Sequence, residues 1–346
     1  MPSDKSDPIK KICLWPHLYG VGGPASFYNK MAKGMAKKGI SVASSPMEEG
    51  CQAVLVIGGT NQLISLWQAR RMGIKVFQRL NGMNWVHRRR FTGINHFLRS
   101  ERNNLLLATI RRDLTDGIIY QSNFSKEWWN KVYRPISKRE GVVYNGVDLD
   151  EFHPGRANLA SDERVKLLVI EGHLGGGHEY GIKNAYQLGC GLQEQTGKQV
   201  EIFILGDVPL QEQKKWEKRT EVKMEFKGIV DHEQIIVLEQ SSHLIYTTEL
   251  NAACPNSVIE AMACGLPVIG YKTGSIEELL GEEGGISVPY GSDHWKIGPA
   301  DIGGLIQAGI KVLQNEDNYR QTARKRAERL FNVETMVESY LEFING

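Results

Sequence analysis

The sequence predicts an α/β protein made of two doubly wound, Rossmann-like domains. Three observations predict it. Short apolar, strand-like runs alternate with helical stretches along the chain. Each half opens on such a run followed by a Gly-rich turn and a helix. A stretch rich in Pro, Gly and charge, DEFHPGRANLASDER (150–164), separates the halves. At 346 residues the chain is long for one compact domain and comfortable for two.

The first half starts with KKICLW (10–15) as a strand, then a Gly-rich turn and a helix with Phe27, Met31 and Met35 on one stripe. QAVLVIGG (52–59), IKVFQRL (74–80), GIIYQS (117–122) and GVVYNG (141–146) supply further strands. The second half restarts with VKLLVIEG (165–172), followed by QVEIFILGD (199–207), VKMEFKG (222–228), SHLIYTT (242–248) and LPVIGY (266–271). Helices follow, ending in NVETMVESYLEFI (332–344). The expected division is a domain over 1–150, a linker over 151–164, a second domain over 165–330 and a terminal helix over 331–346. Two such domains are expected to face each other across a cleft that holds the site.

The most informative stretch is TTELNAACPNSVIEAMACGLPVIGY (247–271). Pro255 suits the first turn of a helix, where its missing N–H costs nothing. Gly265 ends that helix and Pro267 blocks its continuation. A helix start at the carboxyl end of a parallel strand directs backbone N–H groups at the crevice where such sheets bind ligands. The donors belong to Asn256, Ser257 and Val258, and Glu260 shares a helix face with Asn256. A carboxylate beside an anion-binding helix start suits a ligand with phosphates and sugar hydroxyls, such as a nucleotide or nucleotide-sugar.

Composition excludes several classes. Hydrophobic content of 41% and charged content of 24% fit a soluble globular protein, and no apolar run approaches the ~20 residues that span a bilayer. Five widely spaced cysteines without a Cys-x-x-Cys pair argue against a disulfide framework or zinc knuckle. The polar N-terminus MPSDKSDPIKK shows no signal peptide, and the expected location is the cytoplasm. The net charge is +2, but residues 81–139 carry twelve Lys/Arg against four acids. That region reads either as a solvated helical face or as a surface for anionic lipid headgroups or an anionic acceptor. Nucleic acid is not expected as a partner, since no recognisable module for it is present.

GVGGPA (20–25) fits Gly-x-Gly-x-x-Gly/Ala just after a strand, but ISVASSP (40–46) lacks the acid that would hold the ribose of NAD. A phosphate or acceptor-approach loop is the better reading, and a tight βα turn the plainer one. HLGGGHEYG (173–181) reads as a Gly-rich donor loop, because the spacing of His173, His178 and Glu179 is no standard zinc motif. Asn145-Gly146 is a turn signal.

CPNSVIEAMACGLPVI, with TGSIEEL (273–279) downstream, resembles the donor-site segment of the family-four retaining glycosyltransferases. VVYNGVDLDEFHP (142–154) is similar to that family's interdomain segment, and the last helix resembles its closing helix, which crosses back onto the N-terminal domain. The resemblance covers most of 140–346. It implies a GT-B fold, a nucleotide-diphosphate sugar as donor, a glycan or lipid-linked acceptor as in polysaccharide biosynthesis, and neither metal nor cofactor. It puts Glu260 on the donor ribose and Asn256, Ser257 and Val258 at the diphosphate and proximal sugar. Gly172 also falls on the donor side, Gly228 and Ile229 near the base, and Gly22 and Gly23 along the N-terminal side.

The chain departs from the family's pattern in places. Ala252 stands where the first of two spaced glutamates is expected, with Glu249 three residues too early. His173 and Tyr180 stand where an Arg and a Lys would neutralise the leaving diphosphate, and Asn81 where a His would follow an N-terminal-domain strand. Asn81 and His173 are therefore the expected sugar-positioning and charge-stabilising residues, with Arg79 and Lys183 as replacement cations. The alternative is a weak or inactive sugar-nucleotide binder that partners an active transferase.

Overall fold

The computed structural model describes residues 9–20, 22–155 and 163–346. Residues 1–8 of the polar N-terminal stretch lie outside the described residues, as do Val21 of the first Gly-rich turn and 156–162 of the expected linker. The chain forms two compact units. Unit 1 comprises 1–84, 98–146 and 333–346; unit 2 comprises 85–97 and 147–332.

Unit 1 holds a six-stranded parallel sheet of β1 (Lys11–Trp15), β2 (Ser41–Ala43), β3 (Ala53–Ile57), β4 (Lys75–Leu80), β5 (Gly117–Tyr120) and β6 (Arg139–Val142), in the order β2-β1-β3-β4-β5-β6. β3, AVLVI, is buried at every position, as expected of a central parallel strand covered on both faces. On one face α1 (Gly23–Lys37) buries Phe27, Tyr28, Met31 and Met35. Beyond α1 come α2 (Leu63–Arg71), α3 (Ile94–Thr109) and α4 (Asn123–Tyr133). The last helix of the chain joins the same core through Met336, Val337 and Tyr340, the last with its ring 5.0 Å from that of Phe27. The sixth strand runs earlier than the 141–146 expected from the sequence. Val143 N–H still bonds Tyr120 C=O, but Asn145 then turns inward to the Arg79 guanidinium (2.8 Å) and leaves the ladder.

Unit 2 holds a second six-stranded parallel sheet: β7 (Arg164–His173), β8 (Gln199–Asp207), β9 (Lys223–Gly228), β10 (Leu244–Tyr246), β11 (Val268–Tyr271) and β12 (Gly285–Val288), in the order β12-β11-β10-β7-β8-β9. Its helices are α5 (Tyr180–Thr196), α6 (Leu210–Glu217), α7 (His232–Ser241), α8 (Asn256–Ala263), α9 (Ile276–Leu280), α10 (Ile302–Gln314) and α11 (Glu316–Leu330); α12 (Val333–Asn345) is the helix already placed in unit 1. β12 follows the Gly-rich GEEGG and has no counterpart in the sequence reading. The α/β class of two doubly wound parallel sheets stands. All five cysteines are free thiols.

Candidate active site

In unit 2 the expected donor residues gather at the carboxyl ends of the parallel strands, where open α/β sheets bind ligands. Gly172 and His173 end β7, Gly228 ends β9 and Ile229 follows it, and a loop from β10 leads into α8. Gly172 and Gly228 face open space, and Ile229 is exposed. Pro255 is the residue before the first helical position rather than within the first turn, and it makes no side-chain cap hydrogen bond. The first-turn amides belong to Asn256, Ser257 and Val258, and such amides have no partner within their own helix. The rest of α8 is sunk into unit 2: Val258 to Ala263 are all buried, Glu260 with them.

Behind Glu260 stands a second carboxyl, Glu239 of α7, which is wholly buried. Burial first, and then the Glu260 carboxylate, push Glu239 well above the ordinary carboxylate range.

His173 is better organised than its exposure suggests. Its Nδ1 lies 2.8 Å from Asp207 Oδ2 at the end of the next strand, where the β7–β8 register shifts between Ile170 and His173. Bulges of this kind re-aim side chains beside ligand sites. The shift exists because residue 206 is glycine: its φ is +125°, and a Cβ there would lie 1.7 Å from Glu171 C=O. The Asp207 carboxylate fixes the imidazole by its Nδ1–H, and Nε2 lies beside Gly175 of the Gly-rich loop. Lys183 is exposed on the first turn of α5.

Two groups in unit 2, Glu171 and Arg90, have no place in the sequence reading, and a third, Glu249, enters it only as a glutamate three residues too early. Glu171 Oε1 accepts from Thr248 N–H (3.0 Å), Thr248 Oγ1 (2.9 Å) and Glu249 N–H (3.1 Å). Burial raises Glu171 against those three bonds. Glu249 is exposed as a whole residue, yet desolvation of its carboxyl and then the Glu171 charge push it up to about 8. Arg90, from the HRRRF run, stands over the Tyr180 ring (5.5 Å) and 3.9 Å from the Glu179 carboxylate, putting a guanidinium on the Gly-rich loop. The chance to foresee it lay in that basic run, whose docking depends on segment 85–97 belonging to unit 2.

The Glu249 shift fixes a pH dependence. The folded chain holds a proton between pH 4.5 and 8 that the unfolded chain has released, so stability falls as pH rises through that window. Thermal unfolding between pH 5 and pH 8 is expected to show a smaller loss for Glu249→Gln than for the wild type; equal losses would remove Glu249 as the titrating group.

In unit 1, Gly22 and Gly23 open α1 after β1 and face open space. Asn81 follows β4; its C=O accepts from Trp129 Nε1 (2.6 Å), while its side-chain Oδ1 is buried without a hydrogen-bond partner. Arg79 is almost wholly buried, bonded to Asn145 Oδ1 and 4.0 Å over the Phe27 ring. Its charge serves the interior of unit 1. Among the described residues, no group of three or more His, Cys, Asp or Glu side chains is placed to hold a metal ion, and no helix is long and apolar enough to cross a membrane.

Residues 156–329, just over half of the chain, match the family described as Glycosyl transferases group 1. The chain belongs to that family. The match takes in β7 to α11, and so the whole Gly172–Glu260 constellation. No curated protein matches the chain. Several solved structures do. Anabaena HepE, solved with UDP and glucose, is 15% identical at a TM-score of 0.68, covering 96% of this chain and 98% of its own. WaaG, a glycosyltransferase involved in lipopolysaccharide biosynthesis, is 13% identical at 0.69, covering 97% and 100%. Sucrose-phosphate synthase from Thermosynechococcus elongatus is 14% identical at 0.67, covering 96% and 97%. At these identities the likeness is one of fold, and the fold of this group 1 glycosyltransferase is GT-B.

Proposed function

We propose that this group 1 glycosyltransferase is a retaining enzyme of the family-four type, moving a sugar from a nucleotide-diphosphate donor to an acceptor hydroxyl on a glycan, lipid-linked carrier or small molecule. One observation carries the reading: CPNSVIEAMACG makes a helix start at the carboxyl end of a parallel sheet, with Glu260 buried one turn further on. The UDP and glucose held by HepE support a nucleotide-sugar as the donor.

In this reading unit 2 takes the donor. Glu260 accepts from the ribose hydroxyls, Gly228 and Ile229 border the base, and Gly172 lets the donor approach β7. The amides of Asn256, Ser257 and Val258 hold the diphosphate, whose oxygens help deprotonate the incoming hydroxyl as it attacks on the face the leaving group vacates. Leaving-group charge is met mainly by fixed dipoles and cations. Asp207-held His173 and Lys183 take that work in place of the family's Arg and Lys, with Arg90 nearby on the Gly-rich loop. The reading needs no metal or cofactor. Unit 1 supplies the acceptor side, with Gly22 and Gly23 at the start of α1 and Asn81 positioning the sugar.

Ala252, His173 and Tyr180 favour a second reading, a sugar-nucleotide binder without turnover. Each preorganised donor removed from such a site costs ~2.7–4 kcal/mol in the barrier. Proton NMR of the first-formed product tests the stereochemistry. The anomeric configuration of the donor is expected to be kept; an inverted product would overturn the retaining mechanism, and binding without any product would favour the second reading.

A further inference from the structure

Helix α3 is built inside out. Its two buried residues are polar, Ser100 and Asn104, and Asn104 is fixed by two bonds to the Asn84 backbone, one from Asn84 N–H (2.9 Å) and one to Asn84 C=O (2.8 Å). Its exposed residues include Leu98 (61% exposed) and Leu105 (63%). A water-facing helix normally arranges these the other way round. Arg102 of α3 donates to Asn61 Oδ1 (2.9 Å), just before α2, and α2 carries two further exposed apolar side chains, Ile64 (72%) and Trp67 (48%), the latter with the Arg71 guanidinium 4.2 Å over its ring.

The charge beside these residues is mostly positive. Arg99 and Arg102 are exposed on α3 without an acidic partner among the described residues, and Glu101 is the only acid of that helix. Much of the basic excess of 81–139 lies elsewhere. Arg111 is buried against Tyr120 and Asn130, Lys138 is held by the carbonyls of Arg111 and Arg112, and Arg90 meets Glu179.

We propose that the α2–α3 face of unit 1, with Ile64, Trp67, Leu98 and Leu105 as inserting side chains and Arg99 and Arg102 as headgroup contacts, docks this protein on an anionic lipid bilayer. Aliphatic and indole side chains interleaved with arginines match the boundary between acyl chains and acidic headgroups. A nucleic acid would give the exposed leucines and isoleucine nothing to bury in. The docking is independent of the transferase reading, since no residue of the donor site takes part.

The test is co-sedimentation with vesicles of phosphatidylcholine alone and of phosphatidylcholine mixed with phosphatidylglycerol. Wild type is expected to pellet with the mixed vesicles and to be released by added salt. Arg99→Gln/Arg102→Gln should weaken that binding about 25-fold, at roughly fivefold per arginine. Leu98→Ser/Leu105→Ser should weaken it at least about tenfold. Both pairs are exposed, so unchanged thermal unfolding of the free variants is expected and checks that they fold. Wild type staying in the supernatant with both vesicle types, or variants that pellet as wild type does, would overturn the proposal and turn the face over to an acidic protein partner.

Discussion

Glu260→Ala is expected to remove most of the stabilisation that a nucleoside diphosphate confers on this chain. A ligand at about 100 times its dissociation constant adds ~2.7 kcal/mol to the folded state. In the proposed function the ribose hydroxyls give Glu260 two charge-assisted hydrogen bonds, and removing the carboxylate is then expected to cost on the order of 100-fold in affinity. At the same ligand concentration the stabilisation then falls to ~0.4 kcal/mol, which a thermal-shift measurement separates easily from the wild-type value. Unfolding of the ligand-free variant measures what the substitution costs the fold, and the ligand-dependent shift is read relative to it. An undiminished shift in the variant would remove Glu260 from the donor site.

Gly206→Ala should cost more than about 3 kcal/mol in folding free energy. The new Cβ would meet the Glu171 carbonyl oxygen at 1.7 Å on a backbone at φ +125°, and a backbone atom cannot rotate out of the way. Relief requires the β7–β8 bulge to open, which also separates His173 from Asp207. Gly197→Ala is the matched comparison: it too has positive φ, +70°, but nothing lies within 4 Å of its Cβ, so only the left-handed penalty of ~1 kcal/mol applies. Urea unfolding of both variants gives the two numbers side by side. Equal losses would mean that the bulge is soft and does not fix His173.

The fold was legible because parallel sheets covered on both faces write each strand as a continuous apolar run, and turn residues punctuate those runs. β3, β7, β10 and β11 read directly in this way. β12 did not, since GISV is short and follows glycines that weaken any periodic signal. The donor helix was legible because Pro255, Gly265 and Pro267 mark its limits locally. What escaped the sequence are the pairings between strands. The His173–Asp207 contact joins residues 34 apart and Glu171–Thr248 residues 77 apart, and nothing in either residue's neighbourhood announces the other. Arg90 and α3 escaped for a related reason. A run of arginines does not say which of them will be buried, paired or left facing water, and here one segment supplies all three outcomes.

The most direct test of the account is release of nucleoside diphosphate from a panel of nucleotide-sugars, with glycan and lipid-linked acceptors present, by wild type and by Glu260→Ala. The account predicts that wild type consumes one donor and that the variant consumes it far more slowly. A wild-type chain that consumes none of them, whether or not it binds their nucleotides, would contradict it.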